Sequence, residues 1–362
     1  MKLVISAVSF VEGGPLKILQ DAVTSARSSL PDWEIFVLVN RLGLIREPAV
    51  KEIAFPEGRR SWLRRLWLEW FKFKSLSKSI QPDLWLSLHD ITPTVIARRR
   101  VVYCHNPAPF YKVKIFEAFL DPTLFIFCIF YKYIYGLNIK NNEYVIVQQA
   151  WMRVAFHKLF RHPRILVANP IIELDQITDN HGKIYDSKII FLYPALPRVF
   201  KNFEVICEAY KRLPSDVCKK IEIRITLQGT ENRYARYLYK RFGNIDGLCF
   251  IGRQNREEMH YQYRQCNVVL FPSRLETWGL PISEAKSYGK AMLVADLPYA
   301  RETVGIYDRV SFLAPNDINV WQYHIENIYK EQYQFDGGAY FRPTEPYSRN
   351  WNDLWSILVK GL

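Results

Sequence analysis

The stretch from Phe271 to Val304 reads FPSRLETWGLPISEAKSYGKAMLVADLPYARETV, and packing alone does not explain its residue types. Glu276 stands in a polar loop after an apolar run, and Glu284 follows eight positions later. Between them, the Gly-Leu-Pro sequence at 279–281 predicts the start of a helix, because proline at the first helical position removes no needed hydrogen-bond donor. We therefore expect Glu284 in the first turn of that helix.

The predicted helix start favours an anion, because its unpaired amides and the positive end of the helix dipole both attract negative charge. Glu284 is itself negative, so it is better suited to neutral hydroxyl groups beside a phosphate. A nucleotide diphosphate sugar carries both groups. The alternative is that Glu284 only complements the helix dipole and that Glu276 is a solvated loop charge.

These two carboxylates, the Gly-Leu-Pro turn and the short strand that follows resemble the donor site of the retaining group 1 (family 4) glycosyltransferases. That family has the GT-B fold and includes enzymes of bacterial surface-polysaccharide assembly. Its first glutamate contacts the donor sugar and its second contacts the ribose, so the resemblance implies these roles for Glu276 and Glu284. It also implies donor contacts for the backbone of Gly279 and Leu280.

Composition and charge narrow the function classes. The chain has 362 residues, enough for two domains with a sizeable core. Its net charge of +13 and its 15% aromatic residues indicate a negatively charged partner, which could be nucleic acid, an anionic membrane or a phosphorylated substrate. The six cysteines are scattered without a Cys-x-x-Cys pair, which argues against zinc and for reduced cytoplasmic thiols.

The sequence contains no evident targeting or membrane-spanning segment. The N-terminal run MKLVISAVSFVEGG lacks a small-residue cleavage site, so it is interpreted as a first strand and not as a signal peptide. No segment approaches the roughly 18 uncharged apolar residues that a span requires. The nearest run, 122–131, is expected to stop at Lys132.

Apolar runs alternate with helical patterns along the whole chain, which predicts parallel sheets wrapped by helices. One series of candidate strands is 3–8, 35–39, 84–88, 101–104, 144–147 and 165–167, and a second is 189–193, 221–227, 248–251, 268–271, 292–295 and 310–313. The fold class is therefore α/β with two Rossmann-like domains, and the polar stretch 175–182 marks their boundary.

The GT-B resemblance assigns a role to each part of this predicted architecture. Residues 1–178 form an acceptor and membrane-facing domain, and 179–340 form the nucleotide-sugar donor domain. The two domains are expected to face each other across a cleft. An amphipathic helix within 341–362 is expected to pack back on the first domain.

Two glycines follow the first predicted strand. Gly13 and Gly14 precede a helix, and glycines at such a turn let a ligand approach the backbone. The alternative is a tight turn without a ligand. The resemblance places a glycine pair here beside the cleft, near the donor phosphate and the acceptor.

Polar residues also follow two later strands of the first domain. His105 and Asn106 come just after 101–104, at the edge of an open α/β sheet where ligands bind. A lone histidine is more often structural, but the resemblance implies that His105 lies near the reacting sugar. His89 and Asp90 end the preceding strand and are further candidates for the acceptor side.

The run 59–78, RRSWLRRLWLEWFKFKSLSK, places apolar residues at helical spacing between basic residues. This composition is typical of an interfacial helix on anionic lipid. The candidate membrane residues are Trp62, Arg64, Arg65, Trp67, Trp70 and Lys72. The alternative is that the tryptophans pack into the domain. A second aromatic block at 110–135 is either a buried helix or a further membrane contact.

The phosphate side of the donor site matches the family in part. Lys201 stands where the family has a lysine that neutralises the donor diphosphate, but Leu196 stands where an arginine is expected. Arg198 is the arginine of this loop that could replace it, if the loop is reshaped by its prolines. The resemblance further suggests donor contacts for Gly229 and Arg253.

The resemblance thus implies a retaining glycosyltransferase that uses a nucleotide diphosphate sugar, no metal and no cofactor. Its catalytic residues would be Glu276, His105 and Lys201, and its acceptor a lipid-linked saccharide at the cytoplasmic face of an anionic membrane. Nucleic acid is not expected as a partner, because the aromatic residues cluster with aliphatic ones. The alternatives are a nucleotide-sugar epimerase or hydrolase of the same fold, and a non-catalytic basic membrane-binding module.

Overall fold

The computed structural model of the chain describes residues 1–11, 13–170, 188–328, 330 and 332–362. It divides into two compact units. The first unit contains Met1–Phe110, Ile129–Ile171 and Pro343–Leu362, and the second contains Tyr111–Cys128 and Ile172–Arg342. The predicted boundary stretch 175–182 lies outside the described residues, so that boundary stays a prediction.

The strands of the described chain are β1 (Lys2–Ser6), β2 (Glu34–Val39), β3 (Val50–Ala54), β4 (Leu84–Ser87), β5 (Arg99–Cys104), β6 (Tyr144–Val147), β7 (Ile165–Ala168), β8 (Ile189–Tyr193), β9 (Ile221–Ile225), β10 (Leu248–Phe250), β11 (Val268–Phe271), β12 (Ala291–Ala295), β13 (Val310–Leu313) and β14 (Tyr347–Ser348).

The helices are α1 (Gly13–Ser29), α2 (Glu57–Arg60), α3 (Trp62–Trp67), α4 (Phe73–Ile80), α5 (Ile115–Leu120), α6 (Pro122–Gly136), α7 (Ala150–Phe160), α8 (Phe203–Lys211), α9 (Ser215–Cys218), α10 (Arg233–Phe242), α11 (Arg256–Gln265), α12 (Leu280–Ser287), α13 (Pro298–Val304), α14 (Ile318–Asn327) and α15 (Trp351–Val359). A π-helical turn spans Leu68–Lys72, and 3₁₀ turns span Ala108–Phe110, Ile139–Asn141 and Val199–Lys201.

The first unit is built on a parallel sheet in the order β14-β7-β6-β5-β4-β1-β2-β3. The chain adds β2 and β3 on one side of β1 and the later strands on the other, so the order reverses between β1 and β4. Ligands of open α/β sheets bind at the carboxyl ends of strands beside such a reversal. Ser6 ends β1 and His89 follows β4 at this place.

The second unit is built on a six-stranded parallel sheet in the order β10-β9-β8-β11-β12-β13. Its order reverses between β8 and β11, which are hydrogen-bonded neighbours. The loop after β8 leads to the Val199–Lys201 turn, and the loop after β11 carries Glu276. The predicted α/β fold class with two parallel sheets is therefore confirmed.

The buried strands show why these residues form these sheets. β1, β4, β6 and β11 are short runs of apolar, mostly β-branched or leucine residues. Parallel strands covered by helices on both faces need such runs, because neither face meets water. The sequence reading missed β3, whose residues are half exposed at the sheet edge, and β14, which has only two residues.

The C-terminal helix α15 packs into the core of the first unit. Trp351, Leu354, Trp355 and Leu358 join one buried cluster with residues of α1 and of the first sheet. The rings of Trp351 and Trp355 stack with centroids 5.8 Å apart. This confirms that the tail is a helix of the first unit, although the helix begins at Trp351 and the preceding Tyr347–Ser348 forms an edge strand.

The single helix predicted for 59–78 is interrupted. Ser61 is extended and its hydroxyl accepts a hydrogen bond from the amide of Arg64, so it ends α2 and caps α3. The π-helical turn Leu68–Lys72 then shifts the helical register before α4 begins. Leu63, Trp67 and Phe71, spaced four residues apart, project outward with 80%, 52% and 64% of their surface exposed.

One helical stretch of the described chain, Pro122–Asn141, is long and apolar enough to span a membrane by length and composition, with a mean hydropathy of 1.2. It corrects the expectation that no segment approaches the length of a membrane span, because α6 continues through Lys132 to Gly136. Length and composition do not separate a membrane span from a core helix. Tyr131 and Tyr135 on this helix are buried and donate hydrogen bonds to Asp90, so this part of the helix is packed in the first unit.

The packing of α15 leads to a stability prediction. Trp355 is fully buried, and its replacement by alanine should lower the free energy of unfolding of the first unit by about 3–5 kcal/mol, because it removes a large ring from the core. Thermal and urea denaturation followed by circular dichroism would measure this. Trp67→Ala, at a half-exposed indole, is the matched control and should change stability by about 0.5 kcal/mol or less. Equal small effects for both variants would contradict the packing of α15.

Candidate active site

The donor-site candidates of the second unit gather where the order of its sheet reverses. Lys201 ends the turn after β8, and Glu276 lies in the loop after β11. Their side chains form an ion pair between the Lys201 ammonium and Oε1 of Glu276, with 14% of each side chain exposed. The ammonium also lies 5.1 Å from the ring centroid of Phe271. The structure thus brings together two residues that the sequence placed 75 positions apart.

The turn that carries Lys201 depends on the next residue. Asn202 has φ 61° and ψ 44°, the left-handed region that glycine occupies readily and that asparagine tolerates better than most other residues. Its buried amide donates to the carbonyls of Pro315 at 2.6 Å and Pro272 at 3.3 Å. These two hydrogen bonds hold Asn202 in the conformation that ends the Val199–Lys201 turn.

Glu284 lies on the helix that follows Glu276. Helix α12 begins at Leu280, so Glu284 lies in the second turn, which corrects the expectation of the first turn. The buried hydroxyl of Tyr263 donates to Oε2 of Glu284 at 2.6 Å. Burial and the charge of Glu284 raise the pKa of Tyr263, so this hydroxyl stays a donor. One carboxylate oxygen of Glu284 is thereby held in a fixed orientation.

Gly279 sets the approach to that helix. It is the residue before the first helical residue, and its φ of 85° is strained for any residue with a side chain. A Cβ here would also stand 3.2 Å from a ring carbon of Phe271. Leu280 follows as the first helical residue and is 45% exposed. The Gly-Leu-Pro turn therefore brings the α12 amino terminus close to the end of β11.

The remaining donor candidates are placed differently. Arg198 is half exposed, and its guanidinium lies 3.2 Å from both carboxylate oxygens of Asp121. Any diphosphate at Arg198 would therefore compete with that carboxylate. Gly229 has φ 97°, and a Cβ there would lie 2.5 Å from Cβ of Tyr239, so local packing already explains this glycine. Arg253 is exposed after Gly252, which has a positive φ.

The reversal point of the first sheet holds a buried polar cluster. His89 is 1% exposed; its Nε2 lies 3.0 Å from the hydroxyl of Ser6 and 3.2 Å from Oε1 of Glu69. The guanidinium of Arg65 lies 3.0 Å from Nδ1 of His89 and donates to its carbonyl at 2.6 Å. The structure therefore does not present His89 to an acceptor, and this candidate is corrected to an internal residue.

The charge states of this cluster follow from its burial. Burial raises the pKa of Glu69 to about 8, against the opposing effect of the Arg65 charge. Burial and the same charge lower the pKa of His89 well below its usual range. The contact between Glu69 and His89 is therefore one between a neutral carboxyl and a neutral imidazole at pH 7, and not an ion pair.

Asp90 organises the loop that contains His105. Its carboxylate accepts hydrogen bonds from the amides of His105 at 2.6 Å and Asn106 at 3.2 Å, and from the hydroxyls of Tyr131 and Tyr135 at 2.9 Å each. Three of these donors approach Oδ1 and one approaches Oδ2. Asp90 was a candidate for the acceptor side, but the structure uses it to fix the chain at the end of β5.

Asn106 has a similar internal role. Its side-chain oxygen accepts a hydrogen bond from the amide of Ala108 at 2.9 Å, and its carbonyl lies 3.0 Å from the hydroxyl of Tyr135. This turn is local and holds the chain beside His105. Asn106 therefore shapes the loop, and its predicted role on the acceptor side stays a prediction.

His105 is held by contacts within the first unit. Its Nδ1 lies 3.2 Å from the amide nitrogen of Gln148, and its Nε2 is buried. Its ring packs on those of Tyr103 and Phe10, with centroids 4.3 and 6.0 Å away. Burial lowers the pKa of His105, so the ring is neutral at pH 7. A fixed, neutral imidazole is suited to a hydrogen bond with a sugar hydroxyl.

The glycine pair lies at the start of α1. Gly13 is the first residue of this 17-residue helix, and a Cβ at Gly14 would meet nothing within 4 Å. The open space at Gly14 agrees with an approach of a ligand to the backbone, but packing does not require glycine there. The functional expectation for Gly13 and Gly14 stays a prediction.

The membrane candidates divide into outward and inward residues. Trp67 is half exposed, Trp62 is 38% exposed beside Tyr131, and Arg64 and Lys72 are exposed. Arg65 is turned inward to His89, so it is not available to a lipid headgroup. The indole nitrogen of Trp70 is buried. Leu63 and Phe71, which the candidate set omitted, complete the exposed stripe Leu63, Trp67 and Phe71.

Sequence reasoning also missed Glu69 and the acids of 111–128. Glu69 is the single acid in the basic and aromatic run 59–78, and this isolation was a usable signal. No comparable signal marked Glu117 or Asp121, because their partners are distant in the chain. Among the described residues, no group of three histidine, cysteine or acidic side chains is placed to hold a metal ion.

Residues 175–336 match the sequence profile of the family described as glycosyl transferases group 1. The O-antigen chain mannosyltransferase RfbU of Salmonella typhimurium strain LT2 is 20% identical over 264 residues, which are 72% of this chain and 68% of that protein.

Two solved structures show the same fold. The sucrose-phosphate synthase of Thermosynechococcus elongatus has a TM-score of 0.66 at 15% identity and covers 90% of this chain and 89% of its own. The lipopolysaccharide outer core galactosyltransferase WaaB has a TM-score of 0.61 at 14% identity and covers 91% of this chain and 90% of its own. The fold is therefore GT-B, as the sequence predicted.

The buried carboxyl of Glu69 predicts a pH dependence of stability. The folded state keeps its proton up to about pH 8, whereas the unfolded chain releases it near pH 4.3. The folded state therefore keeps a proton on Glu69 that the unfolded chain releases, and the contribution of this group to stability falls as pH rises, by up to about 1.4 kcal/mol per pH unit. The lowered pKa of His89 acts in the opposite direction below about pH 6.5, where the unfolded chain protonates its histidine. Glu69→Gln should therefore remove the fall in melting temperature between about pH 6.5 and 8.

Glu257→Gln, at an exposed acid of α11, is the control for Glu69→Gln. Its melting temperature should follow that of the unaltered protein across the same pH range. Parallel profiles for Glu69→Gln and the unaltered protein would show that the buried carboxyl does not stay protonated.

Proposed function

We propose that this chain, which carries a group 1 glycosyltransferase domain in a GT-B fold, transfers a sugar from a nucleotide diphosphate sugar to a saccharide acceptor. The observation that supports this most directly is the Lys201–Glu276 pair at the order reversal of the second sheet, with Glu284 on the following helix. A cation and two carboxylates at this edge match the three parts of such a donor, which are its diphosphate, its sugar and its ribose.

The proposed roles follow from charge and position. Lys201 stabilises the negative charge that develops on the departing diphosphate, together with the amides at the start of α12. Glu276 accepts hydrogen bonds from the sugar hydroxyls and stabilises positive character at the sugar ring. Glu284, oriented by Tyr263, accepts hydrogen bonds from the ribose hydroxyls.

Donor binding requires the Lys201–Glu276 pair to open. Both side chains are mostly buried, and a charged group that loses its partner there must gain another. The diphosphate replaces Glu276 as the partner of Lys201, and sugar hydroxyls replace Lys201 as the partners of Glu276. The pair therefore keeps both groups compensated when no donor is bound.

The proposed transfer retains the configuration at the anomeric carbon. The bond from that carbon to the phosphate oxygen breaks while a bond to the acceptor oxygen forms on the same face, and the departing phosphate takes the acceptor proton. No side chain acts as a general base in this scheme. The role that the resemblance implies for His105 stays a prediction.

The acceptor proposal rests on two observations. RfbU acts, by its name, on the O-antigen chain, and WaaB acts on the lipopolysaccharide outer core. The stripe of Leu63, Trp67 and Phe71 is exposed between the cations of Arg64 and Lys72. We infer a lipid-linked saccharide acceptor of polysaccharide assembly, reached by a chain bound to the cytoplasmic face of an anionic membrane.

The donor proposal predicts a shift in melting temperature with one or more members of a panel of UDP-, GDP-, dTDP- and CMP-sugars. Lys201→Ala should weaken binding of the matching free diphosphate nucleotide by about tenfold or more, because it removes a charge-assisted contact. Glu276→Gln should leave that binding near normal and lower the transfer rate by about 100-fold or more. No shift with any nucleotide sugar would contradict the proposal.

Transfer to extracted lipid-linked saccharide, measured with and without EDTA, completes the test. Activity that survives EDTA is expected, since the proposed scheme uses no metal. Release of free sugar or of an altered nucleotide sugar without acceptor, at the full turnover rate, would instead favour the hydrolase or epimerase alternative.

The membrane proposal predicts flotation with anionic vesicles. Leu63→Ser combined with Trp67→Ser and Phe71→Ser should abolish flotation while donor binding is retained, because these side chains supply the exposed apolar stripe. Arg64→Glu with Lys72→Glu should weaken it on anionic vesicles. The matched control is Lys219→Glu with Lys240→Glu, an equal charge change at exposed lysines of the second unit. The proposed membrane surface would be contradicted if flotation did not depend on anionic lipid. It would also be contradicted if the two double charge reversals reduced flotation equally.

A further inference from the structure

The segment Tyr111–Cys128 belongs to the second unit although it comes from the first half of the sequence. Its helix α5 carries Glu117, whose side chain is 9% exposed. The hydroxyl of Tyr111 lies 3.2 Å from both carboxylate oxygens of Glu117, and the amide of Lys114 donates to Oε2 at 3.0 Å. The carboxylate is thus held in one orientation by its own segment.

The charge partner of Glu117 is Arg274, two residues before Glu276. Its Nη2 lies 2.7 Å from Oε1 of Glu117, and its side chain is 13% exposed. The guanidinium also lies over the ring of Tyr111, 5.7 Å from the ring centroid. This pair is therefore a largely buried and closely packed contact between the 111–128 segment and the loop after β11.

Arg274 also holds the turn that carries Lys201. Its Nη2 donates to the carbonyl of Val199 at 2.6 Å, and its backbone amide donates to the carbonyl of Phe200 at 2.7 Å. These are the first two residues of the turn that ends at Lys201. A single residue thus ties the loop of Glu276 to the turn of Lys201.

We propose that Arg274 and Glu117 are positioning residues of the donor site. Glu117 fixes the guanidinium of Arg274, and Arg274 fixes the Val199–Lys201 turn against the loop of Glu276. Neither residue touches the donor. We call these contacts of Arg274 with Glu117, Val199 and Phe200 the Arg274 brace. The proposal rests on the proposed function, since the brace positions Lys201 and Glu276, which we infer bind the donor diphosphate and sugar.

Stability alone is a weak reason for such a pair. The desolvation of two buried charges offsets much or all of their attraction, and an apolar pair of the same volume often stabilises a fold as well. An apolar side chain at 274 could not bond the Val199 carbonyl. Position matters at this site, because a misplacement of about 1 Å near reacting groups costs about 100-fold in rate.

The test compares Arg274→Met, Arg274→Lys and Glu117→Gln in the full chain by two measurements. The first is the rate at which an amine-reactive reagent acylates Lys201, followed by peptide mass spectrometry. Arg274→Met should raise this rate by about tenfold, since Lys201 loses the geometry of a charge-assisted contact. The second is the donor kinetics, where Arg274→Met should lower kcat/KM by about 100-fold, mainly through kcat.

For both measurements, Arg274→Lys and Glu117→Gln should give values between those of the unaltered chain and those of Arg274→Met. Arg274→Lys keeps the charge but loses the planar fork that binds Glu117 and Val199 together. Glu117→Gln keeps the shape but loses the charge. The matched control is Arg241→Met, because Arg241 pairs with Glu208 at the surface of the same unit and is 49% exposed. It should change neither the acylation rate of Lys201 nor kcat.

A structural role alone would give a different result. Variants at Arg274 and Glu117 would then melt earlier, with unchanged acylation of Lys201 and unchanged kcat for the folded fraction, and this outcome would overturn the brace. The acylation rate needs no nucleotide sugar. If the unaltered chain binds no donor, the proposed function fails, while the reactivity of Lys201 still decides whether the brace exists.

Discussion

The candidate donor site depends on one topological constraint, the reversal of strand order between β8 and β11. These strands are neighbours, but the chain leaves β8 toward β9 and β10 on one side and leaves β11 toward β12 and β13 on the other. The loops at their carboxyl ends therefore open beside each other. Lys201 and Glu276 are brought into contact by this geometry, and the first sheet brings Ser6 and His89 together between β1 and β4 by the same rule.

The two reversal points differ in charge. In the second unit Lys201 and Glu276 are opposite charges that retain some exposure, which suits the exchange of each partner for an anionic donor. In the first unit Glu69 and His89 are fully buried, and burial shifts the pKa of each toward its neutral form. That cluster fixes the backbone before Asp90. His105, whose amide donates a hydrogen bond to Asp90, is a neutral polar side chain near the cluster.

The sequence predicted the parts of this molecule that local patterns encode. Buried strands are apolar runs, and the Gly-Leu-Pro turn carries its own backbone preference. It could not show that Asp90 would accept hydrogen bonds from four donors or that His89 would be buried, because both depend on side chains that arrive from other elements. The grouping of 111–128 with the second unit was likewise hidden, since the Glu117–Arg274 contact joins residues far apart in the chain.

The net charge of +13 also has a different meaning once the contacts are known. Glu69, Asp90, Glu117 and Asp121 are four acids of the first half, and each lies in an internal contact, several of them with a cation. Arg65, Arg274 and Lys201 are likewise committed to contacts inside the units, whereas Arg198 is half exposed beside Asp121. The total charge does not say where the exposed cations lie, so the inference of a membrane surface must rest on where exposed cations border an exposed apolar stripe. Leu63, Trp67 and Phe71 with Arg64 and Lys72 satisfy that requirement, whereas the arginine beside them, Arg65, belongs to the interior.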